Sequence, residues 1–382
     1  MSNNSQITQL IEREFNLNEN ISYLNHAAVS PWPTRTTLAV QAFAEENNTL
    51  GSLNYLEWME NEHELREQLA QLINAASTNE IALLKNTSEA LSVVAHGTNW
   101  NSGDNVVISD QEFPSNRIVW QSLKNKGVEV KLIDLNSESS PELALIKQID
   151  SHTRILSVSS VQYSTGLKLN LAVLGNACKQ HGCLFCVDAI QSVAAVEIDV
   201  QQCEIDFLMA DGHKWMLAPE GVAVFYCRQS RIQQLELHQF GWRMIENPHD
   251  FQQKDWKSAK NARRFECGSP NMLGIHALRA SLSLILEVGI SEVQNKLLSN
   301  VHFLFNLLES IPDIQIITDT SDNRYAGIVT FKSKTKDHEL LYQYLMQNKV
   351  MCAHRAGGIR FSPHFYTSKN SMQSAVTILE SF

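Results

Sequence analysis

Between about residues 78 and 227 the chain alternates short apolar runs with longer amphipathic ones. Residues 81–84, 106–109, 128–133, 155–161, 184–187, 207–210 and 222–226 have strand length and are rich in β-branched and aromatic side chains. Residues 88–99, 115–126, 141–149 and 171–180 instead repeat apolar positions at helical spacing. Strands separated by helices predict an α/β fold, with a largely parallel sheet of seven strands covered on both faces. Beyond Gly268-Ser269-Pro270 the pattern changes. Helices are expected over 273–287, 292–310 and 338–348, and strands over 314–317, 328–332 and 350–353. A large domain over 22–272 is expected, with a smaller α+β domain formed by 1–21 together with 273–382.

Composition narrows the class. At 382 residues the chain is long for one core, which agrees with two domains. The net charge, 31 − 41 = −10, disfavours nucleic acid or an anionic membrane as the main partner. The first twenty residues lack a secretory apolar core, and no apolar run approaches the roughly 18 residues of a membrane span. Seven cysteines, an odd number scattered along the chain, suit reduced thiols in a cytoplasm. Cys183 and Cys186 form a CxxC inside a buried-strand pattern with no second ligand pair nearby, so no metal is expected.

In parallel sheets ligands bind beyond the carboxyl ends of strands, and four segments there carry chemistry. Asn86-Thr87-Ser88 opens a helix, where hydroxyls and free N–H groups either seat a phosphate or simply cap the helix. Phe113, followed by Pro114, is placed to stack on a planar ring or to fill core. Asp188 closes an apolar strand, where a carboxylate needs a cationic partner such as a protonated ring nitrogen, or caps the strand end. Gln191 lies one turn on, within reach of a ring hydroxyl. Finally, His213 and Lys214 end another apolar strand. A desolvated lysine there has a lowered pKa and attacks carbonyls, whereas a surface lysine beside a turn would do nothing. A phosphate seat, a stacking ring, a carboxylate and an amine for an aldehyde together fit pyridoxal 5′-phosphate (PLP). No GxGxxG follows a strand, which disfavours a dinucleotide-dependent dehydrogenase.

The ordered series Asp188-Ala189-Ile190-Gln191, His213-Lys214 and Gly268-Ser269-Pro270-Asn271 resembles the class V aminotransferase family of fold type I PLP-dependent enzymes. That family includes cysteine desulfurases, selenocysteine lyase, kynureninase and isopenicillin N epimerase. The resemblance runs from Tyr23-Leu24-Asn25-His26 to Phe361-Ser362-Pro363-His364. It implies a Schiff base at Lys214, which also moves the substrate Cα proton. Phosphate contacts are implied at Thr87, Ser88 and His213, a ring-nitrogen partner at Asp188, a ring-hydroxyl contact at Gln191 and a stacking ring at Phe113. Ser269 is implied to reach the phosphate of a neighbouring subunit, hence a homodimer with shared sites. Arg360 is implied to hold the substrate carboxylate, with Asn25 and His26 on the substrate side.

Three positions depart from the desulfurase pattern. Asp211 stands where desulfurases carry a phosphate-binding serine, and Tyr163 where they carry an asparagine. The nucleophilic cysteine of their mobile loop has no counterpart, since Cys352 lies eight residues before Arg360 in an apparent strand. The expected activity is therefore that of an aminotransferase or lyase acting on a small amino acid. An isopenicillin N-type epimerase, a desulfurase or selenocysteine lyase, and a non-catalytic PLP-fold binding protein are the alternatives.

Overall fold

Runs of buried aliphatic and aromatic residues build a seven-stranded sheet in the computed structural model, which describes residues 3–382. Met1 and Ser2, assigned above to the smaller domain, lie outside the described residues. The strands are β1 (Ile81–Leu84), β2 (Asn105–Ser109), β3 (Glu129–Ile133), β4 (Thr153–Ser159), β5 (Leu184–Asp188), β6 (Phe207–Asp211) and β7 (Ala223–Cys227). Their order is β1-β7-β6-β5-β4-β2-β3, and only β7 runs against its neighbours. The expected α/β architecture, with a mainly parallel seven-stranded sheet, is what forms.

Alternate residues of each strand feed two apolar layers, as a period of two requires. Leu83, Val107, Leu156, Phe185 and Leu208 join one layer, while Ala82, Val106, Ile155, Cys186 and Phe207 join the other. Asn86 and Asn170 cap the helices Thr87–Gly97 and Leu171–His181 by accepting from Glu89 N and Val173 N. These caps fix where each helix begins, and so where its N-terminus meets the strand ends. Cys183 and Cys186 are both buried within or beside β5.

The hydrophobic pattern does not announce two long helices, Thr34–Leu50 and Tyr55–Leu72. The first buries only Thr36, so it carries no apolar stripe to read. Both pack against the helix Met272–Val288, whose Leu278 and Leu282 enter the first apolar layer of the large sheet.

A four-stranded antiparallel sheet takes Ala353–Arg355, Gly358–Phe361, Val329–Ser333 and Ile314–Ile316 in that order. Helices Ile290–Glu309, His338–Gln347 and Lys369–Glu380 cover it around Leu304, Phe331, Leu345, Phe361 and Val376. The single strand expected over 350–353 is broken at Cys352. Val350–Met351 pairs in parallel with Ser22–Tyr23, while Ala353–Arg355 turns into the antiparallel sheet. Gly327 lies against the Trp215 ring, where a Cβ would come within 2.1 Å of it. Only glycine permits that approach, which holds Trp215 beneath the strand ends. Among the described residues no single helix is long and apolar enough to cross a membrane.

Candidate active site

The parallel strands and β1 all end at one edge, and a cavity of about 280 Å³ opens there. Asp188 reaches it from the end of β5, and Asp211, His213 and Lys214 from the end of β6. Thr87 and Ser88 come from the helix after β1, Phe113 from the loop after β2 and Tyr163 from the loop after β4. Arg355 and Arg360 reach across from the antiparallel sheet. The fold thus gathers residues spread over some 270 positions of the sequence.

Lys214 is buried at the cavity wall, its Nζ 5.8 Å from the centroid of the Phe113 ring. Burial lowers its amine to about 8, and the Arg360 and Arg355 charges push the same way against Asp188 and Asp211. The amine is therefore much nearer neutrality at physiological pH than an exposed lysine. Burial also raises the Asp188 carboxyl to about 7; nearby Glu112 adds to the rise and Lys214 opposes it. Asp188 Oδ1 accepts from Ile190 N at 3.1 Å.

Phe113 is positioned by the residue before it. The buried Glu112 carboxylate accepts from Ser109 Oγ (2.8 Å), Asn116 Nδ2 (2.8 Å), Ser159 N (2.9 Å) and Ser159 Oγ (2.6 Å). A carboxylate satisfied so fully pins the loop after β2 to β4. Phe113 itself remains 41% exposed, edge-on to Tyr163 with centroids 5.1 Å apart.

Asp211 Oδ2 accepts from Thr87 N (3.2 Å) and Thr87 Oγ1 (3.4 Å). Ser88 Oγ donates to Ser115 Oγ at 2.8 Å. His213 Nδ1 lies 3.9 Å from Asp211 Oδ1. Burial, helped by the Lys214 charge, lowers His213 to about 4, so the ring is neutral and this is no ion pair.

Arg360 is almost wholly buried, and its Nη1 donates to Tyr163 O at 2.7 Å. Burial lowers even this guanidinium, to about 10, with Arg355 adding to the shift. Arg360 Nε, Asp211 Oδ1 and His213 Nδ1 are three buried polar atoms with no hydrogen-bond partner, all on residues lining the cavity. A buried donor or acceptor left unpaired is costly, so this set is built to meet polar groups of a ligand. A guanidinium, a helix N-terminus, an amine and a carboxyl gathered around one cavity fit PLP bearing an amino acid.

Gln191 lines the cavity with its amide already engaged, Nε2 donating to Ala27 O (3.0 Å) and Oε1 accepting from Trp215 Nε1 (2.8 Å). One amide hydrogen is left for a further contact. Asn25 and His26 are not on the cavity; Ala27 and Ala28 are. His26 Nδ1 lies 2.8 Å from Ser362 O and therefore donates to it, so Nε2 accepts from Tyr366 O–H at 2.7 Å. His26 thus ties the N-terminal segment to the chain just after the antiparallel sheet, next to Ala27 on the cavity. Ser269 is likewise absent, lining a separate hollow of about 260 Å³ with Lys85, Glu89 and Gly221. Cys352 is buried, with its thiol pushed up to about 12 by burial, and no cysteine lines the cavity.

Two cavity residues, Arg355 and Ser115, are not singled out by the sequence reading. Ser115 follows Phe113 and Pro114 at a helix start, a visible signal. Arg355 is brought in by the turn Ala356-Gly357 (φ 52° and 66°), which folds it back beside Arg360. The two-glycine run before Arg360 is the only trace of this in the sequence.

Residues 22–373 match the family model for class V aminotransferases. A probable cysteine desulfurase of Methanothermobacter thermautotrophicus is 28% identical over 395 residues, covering 98% of this chain and 97% of the relative. A cysteine desulfurase of Salmonella dublin is 30% identical over 320 residues, 80% of this chain and 77% of its own. The fold matches the cysteine desulfurase CsdA of Escherichia coli with a TM-score of 0.87 at 21% identity, covering 98% of both chains. It also matches the cystine C–S lyase C-DES, solved with its product cysteine persulfide, at a TM-score of 0.89 and 23% identity, over 95% of this chain and 98% of that one. The chain belongs to the class V aminotransferase family and is a PLP-dependent enzyme.

Proposed function

We propose that the protein is a lyase that acts on a small amino acid and releases the leaving group to solvent, without a protein thiol to receive it. The observation that carries this reading is the cavity itself, which joins Lys214, Asp188 and Arg360 but includes no cysteine. Curated relatives named cysteine desulfurase support bond breaking beyond Cα, while the buried, protonated Cys352 argues against a persulfide relay.

Lys214 would hold the cofactor aldehyde. Thr87, Ser88 and His213 would face its phosphate, Asp188 its ring nitrogen, Gln191 its ring hydroxyl and Phe113 its ring face. When bound, the cofactor supplies an acceptor for the electron pair released as a bond to Cα breaks. Arg360 holds the substrate carboxylate, its planar fork fixing the orientation of Cα. Lys214, poised near neutral pH, removes the Cα proton. As a carboxylate facing the ring nitrogen, Asp188 would favour the protonated ring through its opposite charge. Phe113 and Tyr163 shield the cavity from water.

We further read the protein as a cytoplasmic homodimer, in which Ser269, facing away from its own cavity, serves that of a second copy. The division into a large domain over 22–272 and a smaller one from 1–21 and 273–382 belongs to the same reading.

The test is a panel of small amino acids, including cysteine, cystine, serine and alanine, with 2-oxo acid, ammonia, sulfide and stereochemistry followed together. Ammonia and 2-oxo acid in equal amounts, unchanged in Cys352→Ser, support elimination. Amino-group transfer to an added 2-oxo acid without ammonia points to an aminotransferase instead. A colourless protein with no borohydride-reducible band at Lys214 would overturn the reading altogether.

A further inference from the structure

The phosphate end of the cavity contains a carboxylate where an anion is to bind. Asp211 is nine-tenths buried, and its Oδ2 already occupies the Thr87 N–H at the start of the eleven-residue helix Thr87–Gly97. That N–H sits at the positive end of the helix and is the natural donor to a phosphate oxygen. The other oxygen, Oδ1, is buried with no partner, and so is His213 Nδ1 beside it. A phosphate ester carries about −1.5 to −2 charge at neutral pH. Two like charges within hydrogen-bond reach do not both stay ionised in a buried site.

We propose that Asp211 takes up a proton as the cofactor phosphate binds and shares it with a phosphate oxygen, so that PLP binding is coupled to the uptake of one proton. The proton comes from solvent, the carboxylate becomes a carboxyl, and no bond other than O–H forms or breaks. The neutral carboxyl supplies a donor where the desulfurase pattern has a serine hydroxyl.

The surroundings agree. Burial is the main cause that raises Asp211 to about 6, with Glu220 adding to the rise and Lys214 and the Thr87 hydrogen bonds opposing it. Asp188 at the end of β5 is a further carboxyl neighbour. His213, whose Nδ1 lies 3.9 Å from Asp211 Oδ1, is neutral and brings no compensating charge. Loss of the Lys214 ammonium to the cofactor aldehyde would remove a cation that favours an ionised Asp211. The inference rests on PLP occupying this cavity.

Calorimetric titration of the cofactor-free protein with PLP tests it, in buffers of differing ionisation enthalpy and from pH 5 to pH 8. Pyridoxal is run beside PLP because it engages Lys214 identically but lacks the phosphate. At pH 8 the wild type should take up about one more proton with PLP than with pyridoxal. Because the Lys214 step is common to both ligands, the wild type's PLP affinity relative to pyridoxal should fall about tenfold per pH unit above about 6, as one extra proton requires. Asp211→Asn, which keeps a neutral donor at the same place, should abolish the excess proton and hold the PLP-to-pyridoxal affinity ratio at pH 8 at the value the wild type shows at pH 5. Asp211→Ser should also lose the excess, so the outcome does not hang on one variant folding. If PLP and pyridoxal both bind with the same proton count, or the variants keep the excess, the proton at Asp211 is refuted while PLP binding stands. If neither binds, the cofactor reading fails and this inference with it.

Discussion

Replacing Arg360 by lysine asks whether the buried guanidinium recognises the substrate carboxylate. Arg360 keeps one donor on Tyr163 O at 2.7 Å and has Nε without a partner, so it can offer a two-pronged face without giving up its anchor. A lysine retains the charge but not the fork, and it is too short to keep the tie to Tyr163. Hydrogen bonds to charged groups contribute roughly 1.5–3 kcal/mol each. Losing one of two should weaken amino-acid binding by roughly 10- to 150-fold. The assay is the change in the cofactor's visible spectrum on titration with L-alanine and with ethylamine, which lacks the carboxylate. Wild type and Arg360→Lys should differ by that factor for alanine and by less than about threefold for ethylamine. The difference of differences isolates the carboxylate contact, as in a double-mutant cycle. If ethylamine loses as much as alanine, the substitution has merely disturbed the cavity and the assigned role is wrong. If neither changes, the carboxylate lies elsewhere.

Three further outcomes follow from groups whose burial shifts their titration. In the cofactor-free protein Lys214 should react with trinitrobenzenesulfonate with a midpoint near pH 8, well below the value of about 10.4 for exposed lysines; a midpoint near 10 would remove its poise as a base. His26 is lowered to about 4 against about 6.5 when unfolded, so its contribution to stability is present above 6.5 and is lost as pH falls toward 4. That loss reaches about 3 kcal/mol, and denaturant midpoints should show it shrinking in His26→Gln between pH 7 and pH 4.5. Cys352→Ser should leave turnover within about twofold of wild type, and a loss of sulfide release would restore the desulfurase reading.

The sheet was legible because both signals that build it are local. A strand buried on both faces must be apolar at every position, and Val106, Val107 and Ile108 show this directly. Asp188 was legible for the opposite reason, since a carboxylate ending an apolar strand is conspicuous wherever the fold puts it. Residues that work through tertiary contact left weaker marks. Thr34–Leu50 exposes most of its surface within one chain, so no apolar stripe betrays it. Arg355 reads as a loop arginine until the turn at Ala356-Gly357 folds it beside Arg360. His26 stands beside two alanines that do line the cavity, and nothing in the linear order says which of the three faces inward.

Asp211 is the instructive case, because its position was legible and its consequence was not. The resemblance to desulfurases placed it at the phosphate seat, where a carboxylate looks like a defect. The structure shows that this carboxylate accepts from the Thr87 N–H. A serine in that place has no charge to do so as strongly. The substitution therefore stabilises the cofactor-free helix N-terminus and opposes the cofactor at high pH. Both effects come from one charge, so neutralising Asp211 should tighten cofactor binding and loosen the apo-protein together. A purely structural cap would do only the second.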